Sequence, residues 1–244
     1  EYDPAITEFS VSDNGATDLI SDVNIGVAFP QGNATTRSAI VDMPREFVAN
    51  TSAVQACPSA SVQVADPQAN CPDTANLGTA TATSPLLPYA LTGDVIGEDV
   101  GGTLPNIYMV FKDPDIGLDT RIRGSAYVMK TGTGANSASG DFIRTTLNVG
   151  ADGGPLDLPS LPLNGLELNL HQEDPGVTLP DGTTSLGSII KVGTTYACND
   201  TAAARFIMKS WSGATSESIS PVVNFDCAAN GQTVAGNIGI LSGP

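Results

Sequence analysis

The chain has 244 residues, of which 26 are acidic and 10 basic, giving a formal charge of −16, with 41% hydrophobic and only 15% charged residues. That balance repels nucleic-acid phosphates and anionic lipid surfaces, which argues against both as partners. The hydrophobic fraction is too high for a disordered acidic tail, and no apolar run approaches the ~18–20 residues that span a bilayer, so no membrane insertion is expected.

In chain order the elements read as strands. Ile6–Val11 mixes apolar and polar residues and ends at the turn residues Asp13-Asn14-Gly15. Val23–Phe29 alternates cleanly and stops at Pro30, and Ser38–Met43 stops at Pro44. Residues Phe47 to Ala56 form the one helical candidate, two or three turns at most. Strand patterns return at 78–84, 107–111, 121–130, 142–149, 166–170, 188–196, 205–211, 222–227 and 237–241. Residues 111–117 form a hairpin turn between the second and third of these, and the small-residue run 131–140 joins the third to the fourth. Pro155, Pro159 and Pro162 bar residues 150–165 from a central strand, because proline removes a ladder donor. Glycine (26) and proline (17) punctuate the whole chain, so the elements are short and the turns many. The expectation is an all-β protein, an antiparallel β-sandwich or a pair of packed sandwiches. It divides into an N-terminal β piece at 1–86 and a main sandwich at 87–244, or runs as one continuous domain.

Four cysteines fall into two close pairs, Cys57 with Cys71 and Cys198 with Cys227. Neither pair has a zinc knuckle's short gap, and the one histidine, His171, lies apart from both. Two local disulfides are the expectation, and with them an exported, extracellular protein; the two other connectivities stay open on sequence alone. A leader removed before Glu1, or a start downstream of one, fits this address.

Chemistry-bearing patterns are sparse. A Ser-His-Asp hydrolase would have to use His171, with Glu173 or Asp174 beside it, but the residue reads better as a polar strand end before a turn. No nucleophile elbow, zincin or P-loop motif occurs. Asp113, Asp115 and Asp119 form an acidic turn that offers oxygen ligands to calcium but lacks the EF-hand spacing; a solvated hairpin tip is the simpler reading, and no cofactor is expected. Carbohydrate clefts use aromatic platforms, and the one tryptophan, Trp211, is expected in the core or at a strand edge. Asn33, Asn50 and Asn199 head N-x-S/T sequons, a weak signal for glycosylation.

The run Ile40-Val-Asp-Met-Pro-Arg-Glu-Phe-Val-Ala-Asn-Thr-Ser-Ala-Val-Gln-Ala-Cys57, followed by Cys71-Pro-Asp-Thr-Ala-Asn-Leu-Gly78-Thr-Ala, resembles a module of large bacterial cell-surface proteins. In that module a "VDLPPG…NP.AV..C" stretch leads to "CP..S.IG.A". Leu91-Thr-Gly93-Asp-Val, Leu158-Pro-Ser-Leu-Pro-Leu163 and Phe225-Asp-Cys227 match its later segments more loosely. The chain departs at Arg45-Glu46, where the module has Pro-Gly, and at Asp73-Thr74, where it has small residues. The resemblance covers roughly residues 20–230. It implies a β-rich structural or adhesive building block and carries over no catalytic residue.

The expected function is therefore structural: a subunit of a surface filament or pilus-like appendage, with copies of itself as partners. Residues 5–11 could be donated to a neighbour's sheet edge through Ile6, Phe9 and Val11, and the uncharged C-terminal strand could add Ile238 and Ile240 to such an interface. The alternative is that both strands complete their own subunit's sheets. Two other functions compete: an adhesin binding surface glycan or host protein through loops 97–106 and 131–140, and a secreted hydrolase built on acidic residues.

Overall fold

The computed structural model describes residues 2–13, 20–29, 36–51, 53, 55–63, 67, 70–102, 104–129, 142–148, 162–171, 176–185, 187–192, 201–220, 223–228 and 231–234. It is almost wholly antiparallel β. The strands are β1 (Ala5–Asp13), β2 (Ile20–Ala28), β3 (Thr36–Asp42), β4 (Phe47–Ala49), β5 (Cys57–Pro58), β6 (Asn76–Thr83), β7 (Leu91–Asp99), β8 (Asn106–Asp113) and β9 (Leu118–Met129). They continue with β10 (Phe142–Asn148), β11 (Gly165–His171), β12 (Ile190–Val192), β13 (Thr201–Ala202), β14 (Arg205–Ser210), β15 (Thr215–Ile219), β16 (Val223–Ala228) and β17 (Gly231–Val234).

Twelve strands make one sheet in the order β1-β2-β11-β6-β7-β8-β9-β10-β3-β14-β15, with β5 added in parallel to β7. β3 lies between β10 and β14, and β11 between β2 and β6, so strands from both sides of residue 86 share this sheet. The sheet rolls over until its ends meet: the ring of Phe9 in β1 stands edge-on to Phe206 in β14, centroids 6.4 Å apart. Inward-facing residues of these strands then share one core, which includes Phe9, Val23, Leu77, Met109, Ile122 and Phe206. β4 and β12 pair with each other, β4 against β10 and β12 against β2, and so bridge the two halves. β13, β16 and β17 form a separate small sheet beside β1.

β8 shows how local sequence records position. Its run Ile107-Tyr-Met-Val-Phe111 does not alternate because both faces are covered. Ile107, Met109 and Phe111 enter the main core, while Tyr108 and Val110 join a second cluster with Cys57, Val62, Ala75 and Ile96. That second cluster is roofed by the disulfide loop. Cys57 and Cys71 are bonded across a separation of 14 residues, as expected, and by chain-entropy reasoning such a crosslink contributes ~3 kcal/mol. Cys198 lies outside the described residues, and Cys227 is placed in β16 by its backbone.

The short helix is displaced from its expected position. Residues 47–49 are β4, because Phe47 is buried in the core and its strand pairs with Ile190–Val192; long-range pairing outweighs the local helical pattern. The helix that forms is α1 (Ser59–Val62), one turn inside the disulfide loop. The turn expected at 111–117 joins β8 to β9 through Pro114–Gly117, with Gly117 at φ +68°. No helix among the described residues is long and apolar enough to cross a membrane.

A smaller lock ties the turn at Asp73, just after the disulfide loop, to the turn at residues 176–185. The Asp73 N–H donates to Asp181 Oδ2 at 2.9 Å, and the Asp181 N–H donates back to Asp73 Oδ2 at 2.8 Å. The Thr183 hydroxyl first, and then the Asp73 and Thr183 amides, hold the Asp181 carboxyl below its ordinary pKa. Because the folded value is depressed, the contribution is present above the unfolded pKa and is lost as pH falls through the folded one. In an NMR titration the Asp73 amide shift should therefore move with a midpoint below the ordinary aspartate value. A midpoint at or above that value would show that the lock does not exist in solution.

Candidate assembly surface

The outer side of the sheet is divided into three. The disulfide loop covers β7 and β8. To one side lie β1, β2, β11 and β6, and to the other β9, β10, β3, β14 and β15.

The first flank is polar and bonded across strands. Asn169 Nδ2 donates to Asn24 Oδ1 at 2.6 Å, Asn24 Nδ2 to Ser10 Oγ at 3.2 Å, and Ser10 Oγ to Glu8 Oε1 at 2.9 Å. The chain of bonds runs from β11 through β2 to β1 and ends on a carboxylate. Glu8 and Glu167 both stand opposite Gly26 in the register, and both are exposed. A Cβ at Gly26 would lie 2.6 Å from Thr7 Oγ1 and 3.1 Å from Glu8 Cβ, so a larger residue beneath the bulge of β1 would have to displace the Thr7 hydroxyl.

The second flank is built on ion pairs. The register sets Tyr127, Arg144, Asp42, Arg205 and Ile219 side by side across β9, β10, β3, β14 and β15. Asp42, 1% exposed, accepts from Arg144 Nε at 2.5 Å and Nη2 at 2.7 Å, while Arg205 Nη1 lies 3.9 Å away. Arg205 also donates to both oxygens of Glu217, at 2.8 and 2.9 Å. Hydrogen bonding to Asp42 raises the pKa of Arg144, and hydrogen bonding to Glu217 raises that of Arg205, so neither cation titrates near neutrality. Glu217 is correspondingly lowered by Arg205. Nearby, buried Glu98 accepts from Asn106 Nδ2 at 2.9 Å and lies 3.6 Å from Arg123, whose guanidinium sits over Tyr108. At the far end the register passes from Lys209 opposite Ser38 to Ser210 opposite Thr36. Arg37 is left as a bulge, with its guanidinium 5.2 Å from the centre of the Trp211 ring.

The residues singled out by sequence take various places. Ile6, Phe9 and Val11 belong to β1, which pairs with β2 of the same chain over its whole length, and Phe9 and Val11 are buried in that chain's own core. Ile238, Ile240, Asn33, Asn199, Glu173, Asp174 and loop 131–140 lie outside the described residues. The Asn50 side-chain amide, the atom a glycan would occupy, donates to the Ser188 carbonyl at 3.0 Å. Asp113 accepts from the Asp115 N–H on one oxygen and from the Tyr89 hydroxyl on the other, which raises the tyrosine's pKa, and Asp119 is ion-paired with Arg121 at 3.3 Å. Of the loop at 97–106, residues 97–99 complete β7 and Asn106 opens β8. His171 ends β11 opposite Asp22. Trp211 sits in the β14–β15 turn, 46% exposed, so it is held neither in the core nor within a strand.

No local pattern in the sequence marks Asp42, Arg144, Arg205, Asn24 or Asn169. Each is an ordinary polar residue on a strand, and only the strand order makes them neighbours. A cavity of about 60 Å³ lies inside the roll, lined by residues such as Ile25, Leu77, Ile143 and Leu168; among the described residues Thr145 is its one polar side chain. Among the described residues no three His, Cys, Asp or Glu side chains gather as metal ligands. No family model, curated protein or solved structure matches the chain.

Proposed function

We propose that this chain is an extracellular structural module that assembles with copies of itself, and that the exchanged element is β1. The observation that carries this reading is the position of β1. It is a nine-residue edge strand whose ladder runs to β2, and it supplies Phe9 and Val11 to the core. An edge strand can leave without breaking the sheet behind it, and the same strand from a neighbour would restore the same ladder and the same buried rings. The Cys57–Cys71 disulfide supports an oxidising, extracellular setting, and the resemblance of residues 40–80 to bacterial surface modules agrees with a structural role.

Ser10 and Asn24 are directly opposite in the β1–β2 register, which gives a direct test. In the double variant S10C/N24C, oxidation before assembly should tie β1 to its own chain and prevent fibres. Oxidation after assembly should give chain-to-chain ladders on non-reducing denaturing gels. Fibres crosslinked only within single chains would rule out the exchange. A second reading, a surface module binding glycan, draws on the exposed Trp211 beneath Arg37; a glycan array without W211-dependent binding would remove it.

A further inference from the structure

Charge is segregated between the two halves of the large sheet. The adjacent strands of the first flank, β1, β2, β11 and β6, carry four acidic residues and no lysine or arginine. The adjacent strands β9, β10, β3, β14 and β15 carry six basic residues against three acidic ones. In a chain with 26 acids and 10 bases, an even scatter would leave both halves acidic. The basic half instead holds most of the chain's positive charge. On its outer side Asp42 and Glu217 are engaged by Arg144 and Arg205, Asp119 by Arg121, and Arg123 faces Glu98 of β7, so the surplus falls on exposed Arg37 and Lys209. Exposed Tyr127 and Ile219, at the ends of the row through Asp42, add apolar surface. The acidic half presents Glu8 and Glu167 on a hydrogen-bonded polar ladder.

We infer that these two faces bind each other between copies, the basic flank of one subunit on the acidic flank of the next. The occupant follows from charge: the surface complementary to the basic flank is present on every other copy of this chain. Because the two faces differ, the contact is heterologous, and each bound copy leaves one face of each kind free. Such a contact propagates along a row instead of stopping at a dimer. This inference rests on the self-assembly reading, but not on exchange of β1.

The test uses two double variants of the full chain, E8K/E167K and R37E/K209E, with near-UV circular dichroism to establish native packing. The single changes E167K and K209E serve if a double variant does not fold. Wild type should self-associate in sedimentation velocity at about 150 mM salt, where the mutual repulsion of copies that each carry −16 is screened beyond about 8 Å, and raising salt to about 1 M should weaken association at least about tenfold. Each double variant alone should be monomeric, since it sets like charges against each other. An equimolar mixture of the two should recover association, because each face then meets its opposite on the other variant. If wild type associates and both variants associate equally well, the face-to-face contact is overturned while self-assembly stands. If wild type stays monomeric at about 150 mM salt and forms no fibres, the self-assembly reading falls as well.

Discussion

Replacing Gly78 by alanine is expected to cost about 3 kcal/mol or more, the sum of a strained backbone and a steric clash. Gly78 sits at φ +140°, where an L side chain is strained, at the point where β6 bulges against β7. An added Cβ would lie 2.0 Å from the Asn169 carbonyl oxygen and 2.8 Å from the His171 nitrogen, both backbone atoms of β11. Neither can rotate away as a side chain would. Two companion substitutions separate the causes. At Gly93 the backbone is not left-handed, but a Cβ would meet the Val110 carbonyl oxygen at 2.2 Å, so G93A isolates the clash. At Gly117, φ is +68° with nothing within 4 Å, so G117A isolates the backbone term, about 1 kcal/mol. Urea midpoints at unchanged slope should rank the losses as G78A, then G93A, then G117A. If G78A cost no more than G117A, β6 and β11 would not approach as closely as described.

That ranking bears on what the sequence could disclose. Gly78 and Gly93 are the two glycines inside the segments that resemble bacterial surface modules, and at both the constraint is backbone against backbone. At these two positions those segments record strand packing. Strands with one buried face were legible from their alternation: β3, β10 and β14 lie within two residues of the expected bounds, and β2 starts three residues before its expected beginning at Val23. β15 was not legible, because Thr215-Ser-Glu-Ser-Ile219 is an edge strand with little of either face buried, and burial is what writes the alternating pattern. β7 was hidden by Gly93 and Gly97, which read as turn signals but lie within the ladders to β6 and β8. The charge segregation was invisible for a different reason. It depends on β11 inserting between β2 and β6, and β3 between β10 and β14, and no local signal announces those crossovers.

Replacing Asp42 should bring the largest loss among the polar residues. Its carboxylate takes two bonds from Arg144 on one neighbouring strand and faces Arg205 on the other, so it holds β10, β3 and β14 together at one level of the sheet. Removing it leaves two guanidinium groups side by side without the charge between them. Breaking a buried pair by deleting one partner typically costs 3–5 kcal/mol. Here the arginines are 14% and 19% exposed and can turn partly toward water, which places D42A at about 3 kcal/mol. D42N keeps the volume and the hydrogen-bonding oxygen but not the charge, so it should recover only part of that loss. E217A should cost much less, because Glu217 is half exposed and its ion pair with Arg205 is screened by solvent. The decisive comparison is the double variant D42A/R144M, in which the buried cation is also gone. It should be more stable than D42A alone, because the penalty lies in the uncompensated charge and not in the missing contact. Additive losses would mean that Asp42 and Arg144 act independently and that the clamp across β10, β3 and β14 does not hold the sheet.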